Sequence, residues 1–384
     1  MKTKFAPVKF QAALAAGGVA LMAFNYLQFA VPHDSGLIKL TDINWSDFDS
    51  IQSAMYVFLI AIMLLFSLAN FAIAVFFLKG FLQWLRNKNQ LKSFMENPLT
   101  NITAFVPIAS FSMTTNVIWA PFAFFFKDLS TQAMMLPSLL LFGLLWAALF
   151  YLEFRVAKNW FTKTIELSKL NFVWLLDVFT FGLVSLTGTG IASMAKNTSI
   201  ASIASFASLF VVGLGMLLFI AKFSFLAYQQ LKSSRLPEKP ILPAFFLVIP
   251  ITCLLGLSFY RITSFLHNAF AFDVRALSFF ILTVSYIITI GWGIFAVFLL
   301  LDYFRKDFFK ISFAPTQWSM ICALVGSQVL GVYVNGLHYP GALLSVVNYA
   351  STVLAAFLYV LIFSKFHKAN MEESRSEMKK MNNH

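Results

Sequence analysis

Two ionisable side chains, Asp177 and Arg261, lie within long apolar stretches of this 384-residue sequence. Charge in a membrane interior is costly, so an ionisable residue there is a functional hypothesis by default. Arg261 could attract anions at the outer end of a pathway, or it could be an anchor that extends to the membrane surface. Asp177 could bind the proton of a coupled transporter, or it could be a hydrated carboxylate at the interface. We interpret Glu153 and Lys222 as anchors near helix ends.

The sequence gives little support for metal binding or catalysis. The histidines His33, His267 and His338 fall in separate predicted loops, which disfavours a shared metal site. The two cysteines, Cys253 and Cys322, lie in separate apolar runs and indicate neither a disulfide framework nor a zinc site. The sequence contains no HExxH motif, Walker loop or pair of carboxylates on one helix face, so we expect neither an enzyme nor a cofactor.

The composition places these residues in a membrane. Hydrophobic residues make up 59% of the chain and charged residues 11%, and the mean hydropathy is +0.78. Such values exclude an ordinary soluble domain. We therefore predict an all-α integral membrane protein, with a ten-helix transmembrane domain over residues 1–366 and a disordered cytoplasmic tail over residues 367–384. The apolar stretches that could cross about 30 Å of hydrocarbon are 10–31, 51–78, 103–126, 131–154, 172–194, 200–228, 241–266, 276–301, 314–335 and 341–364.

The distribution of the basic residues indicates which side of the membrane each loop lies on. The sequence carries a net charge of +12, which in a soluble protein would suggest nucleic acid as a partner. Here the charge is spread over short loops, so we expect no nucleic acid. The positive-inside rule then predicts a multi-pass protein of the inner (plasma) membrane, with both termini cytoplasmic. Only five of the 28 Lys and Arg residues fall on the other side: Lys39, Lys127, Lys196, Arg261 and Arg275.

The spacing of the helices suggests a repeat. The third, fifth, seventh and ninth begin near residues 103, 172, 241 and 314, at nearly equal intervals, which predicts five helical hairpins. Helix-breaking residues such as Pro107 and Pro243, and many hydroxyl side chains, also concentrate in the odd-numbered helices. We therefore expect kinked odd helices around a central pore and even helices facing lipid. For any single glycine, close helix packing is the alternative.

Motifs at the starts of three predicted helices carry a family resemblance. They are Asn97-Pro98 with Phe105-Val106-Pro107, Trp174, and Leu242-Pro243 with Phe245, Phe246 and Pro250. These motifs resemble the tellurite-resistance/dicarboxylate transporter (TDT) family, which is related to the plant slow-type anion channels, and the resemblance covers most of the chain. It implies a homotrimer in which the odd helices of each protomer surround a central anion pore.

The ninth helix departs from the family pattern. Trp318 resembles a family tryptophan that is often followed, four residues on, by a phenylalanine that plugs the pore. Here Cys322 occupies that position, so another ring, such as Phe111 or Phe181, could occlude the pathway, or the gate differs. The resemblance, together with the charge of Arg261, predicts an anion pathway through Pro107, Phe111, Phe181, Pro250, Arg261, Trp318 and Cys322.

These observations predict an anion channel that passes small inorganic anions across a lipid membrane. The alternative is a secondary transporter or exporter of dicarboxylate, sulfite or tellurite, for which Asp177 is the candidate for proton coupling.

Overall fold

The computed structural model describes residues 5–34, 36–162, 166–233 and 235–382, and these residues form helices joined by loops and turns. Ten of the helical segments are long and apolar enough to cross a membrane, which confirms the predicted all-α membrane fold. The helices are α1 Gln11–Ala30, α2 Ser50–Arg86, α3 Lys88–Glu96, α4 Val106–Val117, α5 Thr131–Thr162, α6 Leu176–Met194, α7 Thr198–Ser233, α8 Val248–Phe270, α9 Arg275–Leu299, α10 Trp318–Leu337 and α11 Ala342–Asn382.

The ten membrane helices form two layers. We call α1, α4, α6, α8 and α10 the inner helices, and α2, α5, α7, α9 and α11 the outer helices. In the most apolar window of each span, 56–89% of the residues are buried in the inner helices and 17–39% in the outer helices. A helix that is apolar on all sides can face lipid without cost, so the outer helices form the surface of the protein.

Contacts between the inner helices close into a ring. Going round it, α1 packs against α4, α4 against α6, α6 against α8, α8 against α10, and α10 against α1. Each inner helix also contacts the outer helix that follows it in the chain. The helices approach most closely where side chains are small. At Gly326 of α10, an added Cβ would lie 2.9 Å from the Cα of Pro250 in α8, so only glycine fits this crossing.

Each inner helix begins with a 3₁₀ turn on the face of the protein that carries both chain ends. The prediction that Pro107 and Pro243 kink helices at membrane depth is wrong. Pro107 lies in the first turn of α4, and Pro243 lies in the turn that precedes α8. Proline fits a helix start because the N–H that it lacks has no helical acceptor there. The five turns are Pro7–Phe10, Asn101–Phe105, Phe172–Leu175, Leu242–Leu247 and Pro315–Gln317.

The last helix extends beyond its apolar part. In the structure α11 continues as a helix to Asn382, through residues for which the sequence predicted a disordered tail. Lys9, just before α1, forms an ion pair of 3.1 Å with Glu373 of this extension. Nearer the membrane, the Lys365 ammonium donates hydrogen bonds to the carbonyls of Phe308 and Ile311 at 2.6 and 3.1 Å. The two chain ends are thus held on one face.

Candidate functional site

A cavity of about 300 Å³ is enclosed by the ring of inner helices. Its lining residues come from α1, α4 with the turn that follows it, α6, α8 and α10, together with Leu37 of the loop after α1. None of the described residues that line it belongs to an outer helix. Along α8 the lining runs from Pro250 to Ser264, a distance of about 20 Å at the helical rise per residue. The cavity therefore follows the axis of the ring.

Most of the cavity wall is apolar. Leu14, Leu183, Leu254, Leu257 and Phe179 contribute hydrocarbon from three inner helices. Such walls cannot replace the hydration shell of an ion, so a small ion gains nothing from contact with them. Polar contacts must therefore come from the few polar residues in the lining.

Arg261 is the main polar group of the cavity. Among the described residues that line the cavity, it alone carries a charge. Its Nη1 donates a hydrogen bond of 3.0 Å to the carbonyl of Leu186, and its Nη2 donates one of 3.3 Å to the Tyr333 hydroxyl. None of the ion pairs among the described residues involves Arg261. The guanidinium thus keeps its positive charge uncompensated by a neighbouring carboxylate.

Gly190 leaves space for the side chains of both Arg261 and Trp119. A Cβ added at Gly190 of α6 would lie 3.0 Å from Nη1 of Arg261 and 3.0 Å from the Trp119 ring. Trp119 belongs to the π-helical turn Ile118–Phe122 that ends α4, and Pro121 lies within the same turn. Such turns change the direction of side chains and are frequent at functional sites. The tryptophan ring and the guanidinium therefore occupy one region of the cavity wall.

Two lining residues, Asn116 of α4 and Trp119 of the turn that follows it, have side-chain donors without a hydrogen-bond partner among the described residues. The indole N–H of Trp119 and the side-chain amide of Asn116 are buried without an acceptor among the described residues. Both residues line the cavity, and they are 3% and 2% exposed. A buried unpaired donor costs about 1–3 kcal/mol, so an acceptor that entered the cavity would relieve a cost that the fold already carries. Sequence analysis did not select these two residues.

The structure brings three of the predicted pathway residues to the cavity. Pro250, Arg261 and Cys322 line it, and the second cysteine, Cys253, does so as well. Cys322 lies one turn before Gly326, where α10 meets α8. Cys322, at the position of the family's phenylalanine, therefore lines the cavity. A role of this position in conduction stays a prediction.

The other four predicted pathway residues do not line the cavity. Pro107 starts α4, and Trp318 packs against Phe313, Tyr359 and Phe366. These contacts hold the beginning of α10 against the middle of α11. The indole of Trp318 is 1% exposed and has the role of a packing residue in this structure.

Neither of the two candidate plugging rings reaches the cavity. Phe111 packs against Phe10 and Phe81, with ring centroids 5.3 and 6.3 Å apart. Phe181 is fully buried against Phe150 of α5, at 5.7 Å between centroids, so its ring points toward the outer helices. Of the two alternatives that the sequence left open, an occluding ring at Phe111 or Phe181 therefore finds no support in the cavity wall, and a different gate remains a prediction.

Asp177 lies away from the cavity, in a buried cluster of charges. Its carboxylate forms an ion pair with Lys222 of α7, and its side chain is 0% exposed. The Lys222 ammonium also lies over the rings of Trp160 and Trp174, at 4.0 and 4.7 Å from their centroids. Asp177 is therefore not the hydrated interfacial group that the sequence suggested, and Lys222 is not a surface anchor.

Glu153 of α5 completes this cluster, which we call the charge triad of Glu153, Asp177 and Lys222. Glu153 is 3% exposed and interacts electrostatically with the other two groups. Its Oε2 has no hydrogen-bond partner among the described residues. Two carboxyl groups thus share one ammonium at the junction of α5, α6 and α7. Since each member is on a different helix, no spacing in the sequence could have revealed the cluster.

Comparison with known proteins identifies the family of this chain. A comparison with curated proteins finds no match to this chain. The sequence model of the voltage-dependent anion channel family (SLAC1) matches residues 4–366, which covers all ten membrane helices up to Phe366 of α11. Members of this family are transport proteins that move anions across membranes, and the resemblance seen in the sequence is confirmed. The chain therefore belongs to the voltage-dependent anion channel family.

Proposed function

We propose that this chain passes small anions across the membrane through the cavity enclosed by its inner helices. The observation that carries the proposal is Arg261, whose positive charge lines the cavity without a carboxylate partner among the described residues. An unpaired cation in a wall of low dielectric attracts anions and repels cations. The leucine-rich remainder of the wall binds inorganic ions weakly, which permits their release.

A channel is the mode of transport that the geometry favours. The charge triad lies outside the cavity wall, so a proton bound there has no direct contact with an anion at Arg261. The second candidate is a secondary transporter or exporter of dicarboxylate, sulfite or tellurite. The buried Oε2 of Glu153, which has no hydrogen-bond partner among the described residues, favours this alternative, because a carboxyl group among charges in a membrane is a typical proton site.

Anion flux into proteoliposomes tests the proposal. The purified protein should pass nitrate and chloride, and Arg261→Gln should reduce the flux at least fivefold because the cavity loses its charge. The matched control is Lys196→Gln, which removes an exposed basic residue at the end of α6 and should change the flux less than twofold. Equal effects of the two substitutions would contradict the proposal.

Electrical recording separates the two transport modes. A channel gives currents that reverse at the Nernst potential of the anion. A proton-coupled transporter gives a reversal potential that shifts with the pH gradient, and Glu153→Gln should then abolish that shift. A shift of the reversal potential with pH would favour the transporter.

We further propose that three copies assemble in the inner (plasma) membrane, with both termini cytoplasmic. The outer helices support this assembly because they expose large apolar side chains, such as Phe76 at 77% and Phe298 at 73%, which lipid or another copy can cover. Chemical cross-linking in native membranes should give a ladder that ends at three copies.

A further inference from the structure

We infer that the cavity binds a monocarboxylate, with the carboxylate at Arg261 and the hydrocarbon part against the leucine wall. The inference rests on the proposed anion pathway and names the class of anion that its binding site prefers. It follows from three properties of the cavity, which are the number of its charges, the donors of its lining residues Arg261, Trp119 and Asn116, and the apolar character of the remaining wall.

The charge count limits the ligand to one negative charge. Arg261 is the only charged residue among the described ones that line the cavity. A dicarboxylate bound at Arg261 would place its second carboxylate against leucine side chains or the amides of Asn25 and Gln28. A buried carboxylate without a cationic partner is strongly disfavoured. The site therefore selects against anions with two charges.

The donors of the lining residues match a carboxylate. A guanidinium has five N–H groups, and the two hydrogen bonds to Leu186 and Tyr333 use only two of them. The Trp119 indole N–H and the Asn116 side-chain NH₂ add donors that have no acceptor among the described residues. A carboxylate offers about four lone-pair positions on two oxygens, so it can accept from the guanidinium and from the indole together.

The rest of the wall favours a hydrocarbon tail over a bare ion. Leu14, Leu183, Leu254 and Leu257 offer apolar contact and no hydrogen bonds. Chloride gains nothing from them, whereas each methylene that leaves water improves binding about fourfold. The cavity volume of about 300 Å³ is at the lower end of the range for ligand pockets, so it suits an acid of a few carbons.

Binding to the purified protein in detergent tests the inference, by calorimetric titration with the sodium salts of acetate, propionate, butyrate, chloride and succinate. Binding is measured instead of flux because protonated short-chain acids cross bilayers unaided. Affinity should rise about fourfold per methylene from acetate to butyrate. Succinate and chloride should bind at least tenfold more weakly than butyrate, and empty micelles provide the blank.

Two substitutions locate the carboxylate. Trp119→Phe keeps an aromatic ring at this position and removes the indole N–H, so butyrate should bind at least tenfold more weakly. The control is Trp146→Phe, because the Trp146 N–H is bonded to the Ala207 carbonyl at 3.1 Å and does not line the cavity. Arg261→Gln should abolish butyrate binding. Near-wild-type circular dichroism and melting temperature of each variant show that loss of binding is not loss of fold.

Three results would overturn the inference: chloride or succinate binding as tightly as butyrate, no dependence on chain length, or equal effects of Trp119→Phe and Trp146→Phe. If nitrate flux still depends on Arg261, the proposed function survives any of them. If Arg261→Gln leaves nitrate flux unchanged, the proposed function itself fails, whichever anion binds.

Discussion

Replacing Lys222 by methionine tests whether the charge triad is a stabilising element of the fold. Methionine keeps the length of the side chain and removes the charge. In the wild type, the side chain of Lys222 is 6% exposed and that of its partner Asp177 is 0% exposed. The variant therefore leaves a buried carboxylate without its cation, which is among the most destabilising changes that a folded protein can suffer.

The magnitude is that of removing one partner of a buried ion pair. Such a change costs about 3–5 kcal/mol, because the remaining charge stays buried without its counter-ion. Loss of the contacts between the ammonium and the rings of Trp160 and Trp174 adds about 1 kcal/mol. We expect Lys222→Met to lower the free energy of unfolding by about 4–6 kcal/mol.

Denaturation in detergent micelles, followed by tryptophan fluorescence, measures this change. The matched control is Lys232→Met, at an exposed position near the end of the same helix, and it should stay within about 0.5 kcal/mol of the wild type. The double variant Lys222→Met/Asp177→Asn should recover part of the loss, because it removes the carboxylate that pairs with Lys222 and leaves Glu153 as the one carboxyl group of the triad. If Lys222→Met costs no more than Lys232→Met, the reasoning is refuted.

Three further predictions concern topology and the cavity. In a variant without native cysteines, a cysteine at Ser93 should react with an impermeant thiol reagent only from the cytoplasm, and a cysteine at Ser46 should react only from outside. The reverse labelling pattern would show that the topology is inverted. Cys322→Phe should lower anion flux severalfold without loss of folded protein, because the ring narrows the cavity; unchanged flux would exclude a role in conduction. Gly190→Ala should displace Arg261 and reduce flux severalfold, whereas Gly213→Ala, with open space around it, should have no effect; equal flux in both would count against Arg261.

Sequence patterns predicted the membrane architecture well, for a physical reason. A helix in lipid must be about 20 apolar residues long whatever it packs against, so the ten spans can be counted from hydropathy alone. The difference between the layers was also visible, because hydroxyl groups, glycines and prolines concentrate in the helices that the structure buries. The motifs at Pro107, Trp174 and Pro250 were specific enough to identify the family that the whole-chain comparison confirms.

The prolines show a limit of hydropathy. Because Pro107 and Pro243 lie within apolar runs, the sequence predicts a helix kink at each of them. In the structure the apolar run includes a 3₁₀ turn before the helix, and the prolines belong to that turn or to the first turn of the helix. Hydropathy does not distinguish a buried turn from a buried helix, since both are apolar.

Which side chains face the cavity was decided by the tertiary structure alone. Hydropathy varies little around the axis of inner helices such as α6 and α10, so it carries no signal that defines their rotation about that axis. Phe181 therefore points toward α5 although we expected it in the pathway, while Cys322 faces the cavity. The side chains of Trp119 and Arg261 both pack against α6 at Gly190, because this residue has no side chain to exclude them.

The meeting of the charged side chains in the charge triad was likewise decided by the tertiary structure. The sequence by itself determined that Glu153, Asp177 and Lys222 lie near the ends of three apolar helices, because apolar length defines those ends. It did not determine that the three charges meet, since they are on α5, α6 and α7 and their contact depends on how these helices pack and rotate. Hydropathy is a property of each segment and can be summed from its residues. A contact between helices is a property of their packing, which only the tertiary structure supplies.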